Sequence, residues 1–442
     1  MRIALVGSGM SAIAALDALN QFDQIKLINF RLDDEEDLTR ASDSYFKKKD
    51  GKGTAYDIGK YSSFVSLPFV SKTMAGSKGI NGFSDVWGAS LDEDDEGYIS
   101  NKGEFFFENI EANINLDRTI FIDSESVQVK TESSRLARSQ KLCKNVGSCL
   151  IGCPNNAIWK SSNYYGNPVS KSGIEIINDG VLTFQILNKY IEITTFSGQK
   201  YKVDSLILAA GTLGTLAILN RSYGELYQFT IEDSATQFFL ALKLRPFKLK
   251  NLSTLHQWRI SIKNQSFESQ MQIYNRISNL KETAKFGKNR LVKIFIDLLW
   301  PIVSHFFIAG ISYIDGKNSN SLQLNFSKGV GELRSLPNIN QIRVRRLIWK
   351  TIFRNSFELG FLPLKFTFQD NGSGSGFHFG KTMWKSESGL IPLNDAISEI
   401  TSSNAVLVVD SNAVPHVPAG PITSLIGRNA KELTVAFVKS RL

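Results

Sequence analysis

The sequence predicts an α/β protein, and three observations support this fold class. The chain opens on a short apolar run, Ile3–Val6, which stops at two glycines and passes into the small-residue stretch Ser11–Leu19. A second apolar run, Ile25–Phe30, follows at once. The order of buried strand, glycine turn and helix recurs at Leu206–Thr215. Strands joined by helices with glycines at the strand ends are typical of a doubly wound, Rossmann-like nucleotide-binding domain.

The first glycine turn has the form G-x-G-x-x-A. Gly7 makes the sharp turn from strand to helix, and Gly9 lets the backbone approach a pyrophosphate. Ala12 takes the place of a third glycine where the helix packs on the strand, and Ser11 beside it is also small. Since the free N–H groups of a helix start attract anions, these four residues are predicted to bind the phosphates of a dinucleotide.

The second predicted strand lacks the acidic residue that usually binds a ribose about 20 positions after the glycines. Asn29 occupies that place, and Arg31 follows. Asn29 can hydrogen-bond ribose hydroxyls. A neutral residue followed by arginine would also suit a 2′-phosphate, so an NADP-type ligand stays open at this point.

The composition indicates an ordinary globular protein of 442 residues, long enough for two domains. The chain begins directly with a strand rather than a signal sequence, which predicts a cytoplasmic protein. The net charge of +9 is uneven, and residues 241–300 are strongly basic. Such a region suits a solvated face, an anionic membrane or an acidic substrate. Without a recognisable basic module or zinc-finger spacing, we expect no nucleic-acid partner.

Three cysteines, Cys143, Cys149 and Cys153, lie within eleven residues. An odd and clustered set in a chain without a signal peptide argues against a disulfide framework and favours metal ligands. The spacing C-x5-C-x3-C, with Pro154 after the last cysteine, is similar to the C-x3-C-P ending of ferredoxins.

The distribution of glycines along the sequence divides the chain into two kinds of segment. Glycine-punctuated segments predict a discontinuous nucleotide-binding domain over 1–225 and 375–442, with 91–140 a candidate insertion. Residues 226–374 lose that punctuation, which predicts a second, α+β domain built on a sheet. In the middle, Ile294–Ile311 predicts a core helix followed by a strand. The alternative is a segment dipping into an anionic membrane, because Lys285, Lys288, Arg290 and Lys293 precede it. Arg343–Arg354 has the spacing of an amphipathic surface helix.

Five stretches in order resemble the glucose-methanol-choline family of flavin oxidoreductases: Gly7–Ala12, Gly79–Gly88, Cys149–Ser162, Leu206–Thr215 and Gly376–Arg428. The resemblance covers about 200 residues of the flavin half. It implies FAD as the cofactor and sets the NADP interpretation aside, although Asn29 departs from the family's usual acid. It also implies flavin contacts along the chain: Gly82, Ser84, Trp87 and Gly88 along pyrophosphate and flavin, Ala210 and Gly211 near the adenosine, and Asp410, Ile422 and Thr423 at the ribityl chain and pyrimidine edge.

The resemblance also implies a catalytic base. His378 follows the glycine loop 371–377 and precedes Gly380 and Thr382, which is similar to the family's His-x-x-Gly-Thr element. Oxidation of an alcohol requires removal of the hydroxyl proton, and histidine suits that task near neutral pH. The family's second catalytic position, a His or Asn before a proline, falls on Gly420. His416 is the candidate for that space.

The cysteines resemble those of the family's sugar dehydrogenases that carry a 3Fe-4S cluster. The leading hypothesis is therefore an FAD-dependent dehydrogenase acting on a sugar or other polyol, with electrons leaving through a cluster held by Cys143, Cys149 and Cys153. Its acceptor would be a protein or a quinone, and the basic region would give peripheral contact with the inner face of a membrane. The alternatives are a cluster-free alcohol oxidase and a family member without catalytic activity.

Overall fold

The computed structural model describes most of the chain. The described residues are 1–31, 55–57, 75–77, 82, 89–91, 116–139, 141–144, 149, 153, 155–161, 173–224, 228–245, 255–275, 304–327, 330–370, 372–374 and 376–442.

The described helices are α1 Met10–Leu19, α2 Gly211–Ser222, α3 Ile339–Arg354, α4 Ser356–Leu359, α5 Leu393–Thr401 and α6 Thr423–Lys439. The strands are β1 Arg2–Val6, β2 Lys26–Arg31, β3 Ala55–Asp57, β4 Ala75–Ser77, β5 Ser90–Leu91, β6 Asp117–Ile122, β7 Glu125–Ser133, β8 Arg135–Leu136, β9 Ile174–Asn178, β10 Val181–Leu187, β11 Tyr190–Thr195, β12 Lys200–Val203, β13 Ser205–Leu208, β14 Gln228–Asp233, β15 Thr236–Lys243, β16 Trp258–Lys263, β17 Glu268–Tyr274, β18 Phe307–Ile314, β19 Ser321–Ser327, β20 Val330–Leu336, β21 Phe361–Pro363, β22 Gln369–Asp370, β23 Phe379–Ser386, β24 Gly389–Pro392 and β25 Val406–Val408.

A five-stranded parallel sheet in the order β25-β13-β1-β2-β9 confirms the predicted α/β class. Its central strands are apolar on both faces because both faces are covered. On one face, Ile3 and Leu5 of β1 pack with α1 and α6. On the other, Ala4 and Val6 join a core that includes α2 and the meander β10 to β12. The β11–β12 hairpin turns at Gly198, whose φ of 84° suits glycine.

An antiparallel sheet forms the middle of the molecule, in the order β21-β15-β18-β17-β16-β7-β6, with β22 paired to β15. Phe239 and Ile308 lie on the face that packs against α3, and Tyr313 lies on the opposite face. Strands β6 and β7 belong to this sheet, although their residues lie outside the predicted boundaries of the second domain. Sequence patterns report the local strand well, whereas the partner strand is chosen by long-range packing.

A second antiparallel sheet, β20-β19-β14-β23-β24, links the middle of the chain to its C-terminal part. Phe229 and Ile231 of β14 belong to the same core as α2 and the meander. Strand β14 pairs with β23, with Asp233 opposite Phe379. The sheet therefore holds the start of β23 beside the parallel sheet.

The predicted amphipathic helix is confirmed as α3, in which Val344, Leu347 and Ile352 are buried. Its cations Arg343 and Lys350 pair with acids of the β6–β7 hairpin. Of the apolar run at 294–311, only residues 304–311 are described, and their last five belong to strand β18. Within the described part of the chain, no helix has the length and apolar character needed to span a bilayer.

Candidate functional site

Three helix N-termini meet the carboxyl edge of the parallel sheet. Helix α1 follows β1, α2 follows β13, and α6 follows the loop after β25. None of the three starts with a side-chain cap, and none has an acidic residue in its first turn. Their uncapped N–H groups and the positive ends of their dipoles therefore favour an anion at this edge.

The first glycine turn is closed against the second. Gly7 has a φ of 127°, and a Cβ there would lie 2.1 Å from the carbonyl oxygen of Ala209. Gly9 faces Gly82, because a Cβ on Gly9 would lie 3.9 Å from the Gly82 Cα. The structure thus brings Gly7, Gly9 and Gly82 together with the start of α2. The predicted contacts Ser84, Trp87 and Gly88 lie outside the described residues.

Several predicted cofactor residues occupy these helix starts. Ser11 and Ala12 are buried in the first turn of α1. Ala210 and Gly211 begin α2, and Ile422 precedes Thr423, the first residue of α6. The structure therefore places the residues from four separate sequence segments along one edge.

Asn29 stabilises the glycine turn through its side-chain amide. Its Nδ2 donates hydrogen bonds to the carbonyl oxygens of Leu5, at 3.2 Å, and Gly7, at 2.9 Å. The side chain is fully buried, and its Oδ1 has no hydrogen-bond partner. Asn29 thus fixes the turn, and its predicted contact with a ribose stays a prediction.

Asp410 is a buried carboxylate held by neighbouring donors. Its Oδ1 accepts from the backbone N–H of Asn412 at 3.0 Å and from the Asn412 Nδ2 at 2.7 Å. Its Oδ2 accepts from the hydroxyl of Thr215. Burial raises the pKa of Asp410 to about 6, although the hydrogen bonds from these donors lower it. The carboxylate therefore shapes the turn after β25, and its predicted role at the ribityl chain stays a prediction.

Side chains around that turn connect it to α2 and to β23. Asn412 Oδ1 accepts from the Thr382 hydroxyl at 2.5 Å, and the Ser411 and Thr212 hydroxyls lie 2.5 Å apart. A Cβ on Gly380 would lie 2.2 Å from the Ser411 carbonyl oxygen, so β23 needs glycine there. The residue just before β23, His378, is consequently held beside the turn that leads to α6.

His378 is fixed at both its backbone and its ring. Its carbonyl oxygen accepts from the backbone N–H of Ser234 at 2.9 Å. The imidazole stacks on Tyr313, with ring centroids 4.9 Å apart and an angle of 21°. Nδ1 is enclosed and has no hydrogen-bond partner. Burial lowers the pKa of His378 to about 4, so the ring is neutral at physiological pH.

The other predicted catalytic residue stands apart from this geometry. His416 has an exposed side chain, whereas Gly420 is buried. His256 is fully buried and packs edge-on against Tyr274, as expected of a structural residue. The described contacts do not bring His416 and His378 together.

Sequence reasoning missed the residue that holds the glycine loop before His378. Asp233, at the end of β14, is buried and accepts a hydrogen bond from Gly374. An acid at a strand end carries no signal of its own, because such residues are usually solvated. Lys381 was likewise not expected to pair with Glu232, at 2.6 Å.

Two of the three cysteines lie beside the start of α1. Cys149 and Cys153 pack against an apolar cluster that includes Met10 of α1. The Sγ of Cys153 accepts a hydrogen bond from the backbone N–H of Ala157 at 3.3 Å, and the Cys143 N–H donates to Ser139. Among the described residues, no group of three His, Cys, Asp or Glu side chains is arranged to hold a metal ion. The geometry therefore gives the predicted cluster no support.

Comparisons with solved structures show a shared fold. The chain is similar to pyridoxine 4-oxidase from Mesorbium loti, with a TM-score of 0.59 and 11% identity over 99% of both chains. It is similar to a variant of formate oxidase from Aspergillus oryzae RIB40 studied for FAD modification, with a TM-score of 0.53 and 12% identity over 100% of this chain and 99% of that one. No protein-family profile matches the sequence, and no curated protein matches it.

The chain thus shares its fold with pyridoxine 4-oxidase and with a formate oxidase studied for FAD modification. The residues at this edge also fit FAD when they are considered without the comparisons. Uncapped helix starts and paired glycines leave room and positive potential for a pyrophosphate. The site next to it holds a neutral histidine on a fixed loop.

Proposed function

We propose that this protein is an FAD-dependent oxidoreductase that oxidises an alcohol. The observation that carries the proposal is the convergence of α1, α2 and α6 on one sheet edge, beside His378. Anion-binding helix starts account for a dinucleotide, and a half-buried neutral imidazole accounts for proton removal. The shared fold supports both parts, since the similar structures include oxidases.

Gly7, Gly9 and Gly82 would lie along the pyrophosphate. The start of α6 would face the pyrimidine edge of the flavin. Bound FAD would supply the acceptor for the hydride that leaves the alcohol carbon. The chain's own part is to hold the alcohol and take its hydroxyl proton. Because Nδ1 of His378 is enclosed, the opposite edge of the ring, with Nε2, is the edge that a substrate hydroxyl can reach.

The chain's chemistry depends on a single histidine in this proposal. Gly420 has no side chain to share the work, and the exposed His416 would have to turn inward to reach the site. The alternative is a protein that keeps the flavin fold without catalytic activity, and it rests on Gly420 at the second catalytic position and Asn29 at the ribose position.

The test begins with release of the bound nucleotide and its identification by absorbance and mass, which also checks the NADP interpretation of Arg31. Anaerobic mixing with panels of alcohols and sugars then measures flavin reduction. We expect His378→Ala to keep its flavin and to slow reduction by a factor on the order of 100 to 10,000. His416→Ala measures the second candidate, and His305→Ala serves as a surface control. Flavin that no alcohol reduces in the wild-type protein would support the inactive alternative.

The electron acceptor is a separate question. The cysteine spacing supports a 3Fe-4S cluster, a sugar or polyol substrate and a protein or quinone acceptor. The cluster-free alternative is an alcohol oxidase, in which oxygen accepts the electrons. Iron and acid-labile sulfide assays on anaerobically purified protein separate the two: about three irons per chain indicate the cluster, and iron-free protein that consumes oxygen with an alcohol indicates an oxidase.

A further inference from the structure

The two faces of the antiparallel sheet in the middle of the molecule differ in chemical character. On the face that packs against α3, strands β16, β17 and β18 each carry a fully buried isoleucine: Ile260, Ile273 and Ile308. On the opposite face, the same strands carry side chains that can hydrogen-bond and that are each less than one tenth exposed: Arg259, Gln270, Gln272 and Tyr313. Because buried polar groups need partners, each of these side chains requires an account of its hydrogen bonds.

Two of these polar side chains have their partners inside the protein. Gln272 accepts a hydrogen bond from the Tyr274 hydroxyl at 3.1 Å. Arg259 donates to the carboxylate of Glu132 at 3.1 Å and to the carbonyl oxygen of Leu91 at 2.9 Å. Both side chains therefore have a structural role that explains their burial.

Gln270 has no such explanation. Its side chain is buried, with the residue only 7% exposed, and within the described part of the chain its Oε1 has no hydrogen-bond partner. An enclosed amide oxygen without a partner destabilises a folded protein. A ligand that donates a hydrogen bond to this oxygen would remove that cost.

Gln270 lies close to the proposed base. In the pairing of β17 with β18, Gln270 stands directly opposite Tyr313, so both side chains point to the same face with Cβ atoms about 5 Å apart. The Tyr313 ring stacks on the imidazole of His378, which is half-buried and so keeps some accessible surface. The amide therefore lies one aromatic ring away from the imidazole, at roughly 10 Å. One small molecule can reach both groups across the edge of the Tyr313 ring.

We propose that Gln270 binds a second hydroxyl of the substrate, so that the protein selects polyols over simple alcohols. The proposal rests on the proposed function, in which His378 takes the proton of the hydroxyl that is oxidised. The amide of Gln270 accepts through Oε1 and donates through Nε2, and a hydroxyl can do both. An alcohol without a second hydroxyl leaves the amide enclosed and unpaired, and the lost hydrogen bond disfavours its binding.

The test uses pairs of alcohols that differ by one hydroxyl: 1-butanol with 1,4-butanediol, and 1-hexanol with 1,6-hexanediol. Titration of the holoprotein, followed by the change in flavin absorbance, gives dissociation constants without any chemistry. Anaerobic mixing gives the rate of flavin reduction for the same pairs. We expect the wild-type protein to favour each diol by about tenfold, the equivalent of one neutral hydrogen bond. Gln270→Leu should lose most of this preference, because leucine offers no polar atom.

Two further variants control for changes of shape and stability. Gln270→Met repeats the test with a side chain of similar length that adapts to its surroundings. Both Gln270 variants should keep the unfolding midpoint of the wild type or exceed it, since an apolar group replaces an unpartnered amide. Gln323→Leu is the matched control, because Gln323 is a half-buried strand glutamine of β19 in the other antiparallel sheet. It should keep the preference for diols.

The inference is overturned if the wild type binds neither member of a pair or binds both equally, or if the Gln270 variants keep the preference. It is also overturned if both Gln270 variants unfold at a clearly lower temperature, because the amide would then have a partner inside the protein. Failure of the proposed oxidation has a different signature. In that case no alcohol reduces the flavin, and the dissociation constants still decide the role of Gln270.

Discussion

The carboxylate of Asp233 accepts a hydrogen bond from the backbone N–H of Gly374, at 2.6 Å. The next residue, Ser234, donates its own N–H to the carbonyl oxygen of His378. Asp233, the last residue of β14, and the residue after it therefore hold the glycine loop at Gly374 and at His378, the proposed base. Gly376 lies between them, where a Cβ would come within 2.7 Å of the Thr236 side chain. The loop has little freedom to reposition His378.

Removal of the Asp233 carboxylate should therefore slow the chemical step without releasing the cofactor. We expect Asp233→Ala to lower the rate of alcohol-driven flavin reduction by roughly tenfold to a hundredfold, the kinetic equivalent of one lost hydrogen bond to a buried charged group. Asp233→Asn keeps an oxygen that can accept from Gly374 and should stay within a few-fold of the wild type. Anaerobic stopped-flow measurements at matched flavin content make the comparison. A wild-type rate in Asp233→Ala would show that the hydrogen bond from Gly374 to Asp233 is not needed to position His378.

The same carboxyl predicts a pH dependence of stability. Burial raises the pKa of Asp233 from 3.8 to about 7 in the folded protein. The native state then binds the proton more tightly than the unfolded chain, so this contribution is complete below about pH 4 and is lost as pH rises to about 7. The free energy of unfolding should fall over that window by up to about 4 kcal/mol more in the wild type than in Asp233→Asn. Urea denaturation at several pH values measures the difference. Parallel curves for the two proteins would refute the shift.

Burial also sets the pH at which His378 can act as a base. With its pKa lowered to about 4, the ring is neutral from that pH upward. The rate of flavin reduction should rise with pH around 4 and then stay level through neutrality as far as this residue is concerned. Tyr313→Ala uncovers one face of the ring, and we expect the rise to move upward toward the ordinary histidine pKa near 6.5. Pre-steady-state rates across pH follow this shift. The control variant Tyr190→Ala removes a half-buried tyrosine of β11 that contacts Lys202 rather than His378, and it should leave the profile unchanged. A profile that Tyr313→Ala also leaves unchanged would exclude burial as its cause.

The glycine turn at the carboxyl end of β1 could be predicted because its constraints are local. The backbone at Gly7 lies so close to Ala209 that no side chain fits there. The need for glycine is therefore visible at a single sequence position. The same holds for the strand before Gly211 and for the last helix, where apolar runs and their breaks follow the period of each element. These segments lie far apart in the sequence, but each shows its own part of the pattern.

The two hydrogen bonds that hold the loop before His378 could not be predicted, because their partners lie far apart in the sequence. Asp233 becomes a buried acceptor only after β14 pairs with β23, and that pairing joins residues almost 150 positions apart. Asn29 is a second case: its position predicts a ribose contact, and only the structure shows that its amide also holds the Leu5 and Gly7 carbonyls. A side chain near a strand end has several partners available, and only the packed fold selects among them.

Gly7 offers the strictest test of the nucleotide edge. A methyl group there would meet the Ala209 carbonyl oxygen at 2.1 Å, on a backbone with a φ of 127° that side chains rarely adopt. We expect Gly7→Ala to lower the free energy of unfolding by roughly 2 to 4 kcal/mol and to reduce the bound flavin sharply, because the end of β1 must move away from α2. Gly224→Ala is the matched control, since a Cβ at Gly224 meets nothing within 4 Å. Flavin content by absorbance and urea denaturation report the two effects. Full flavin content in Gly7→Ala would mean that the phosphates lie elsewhere than at this turn.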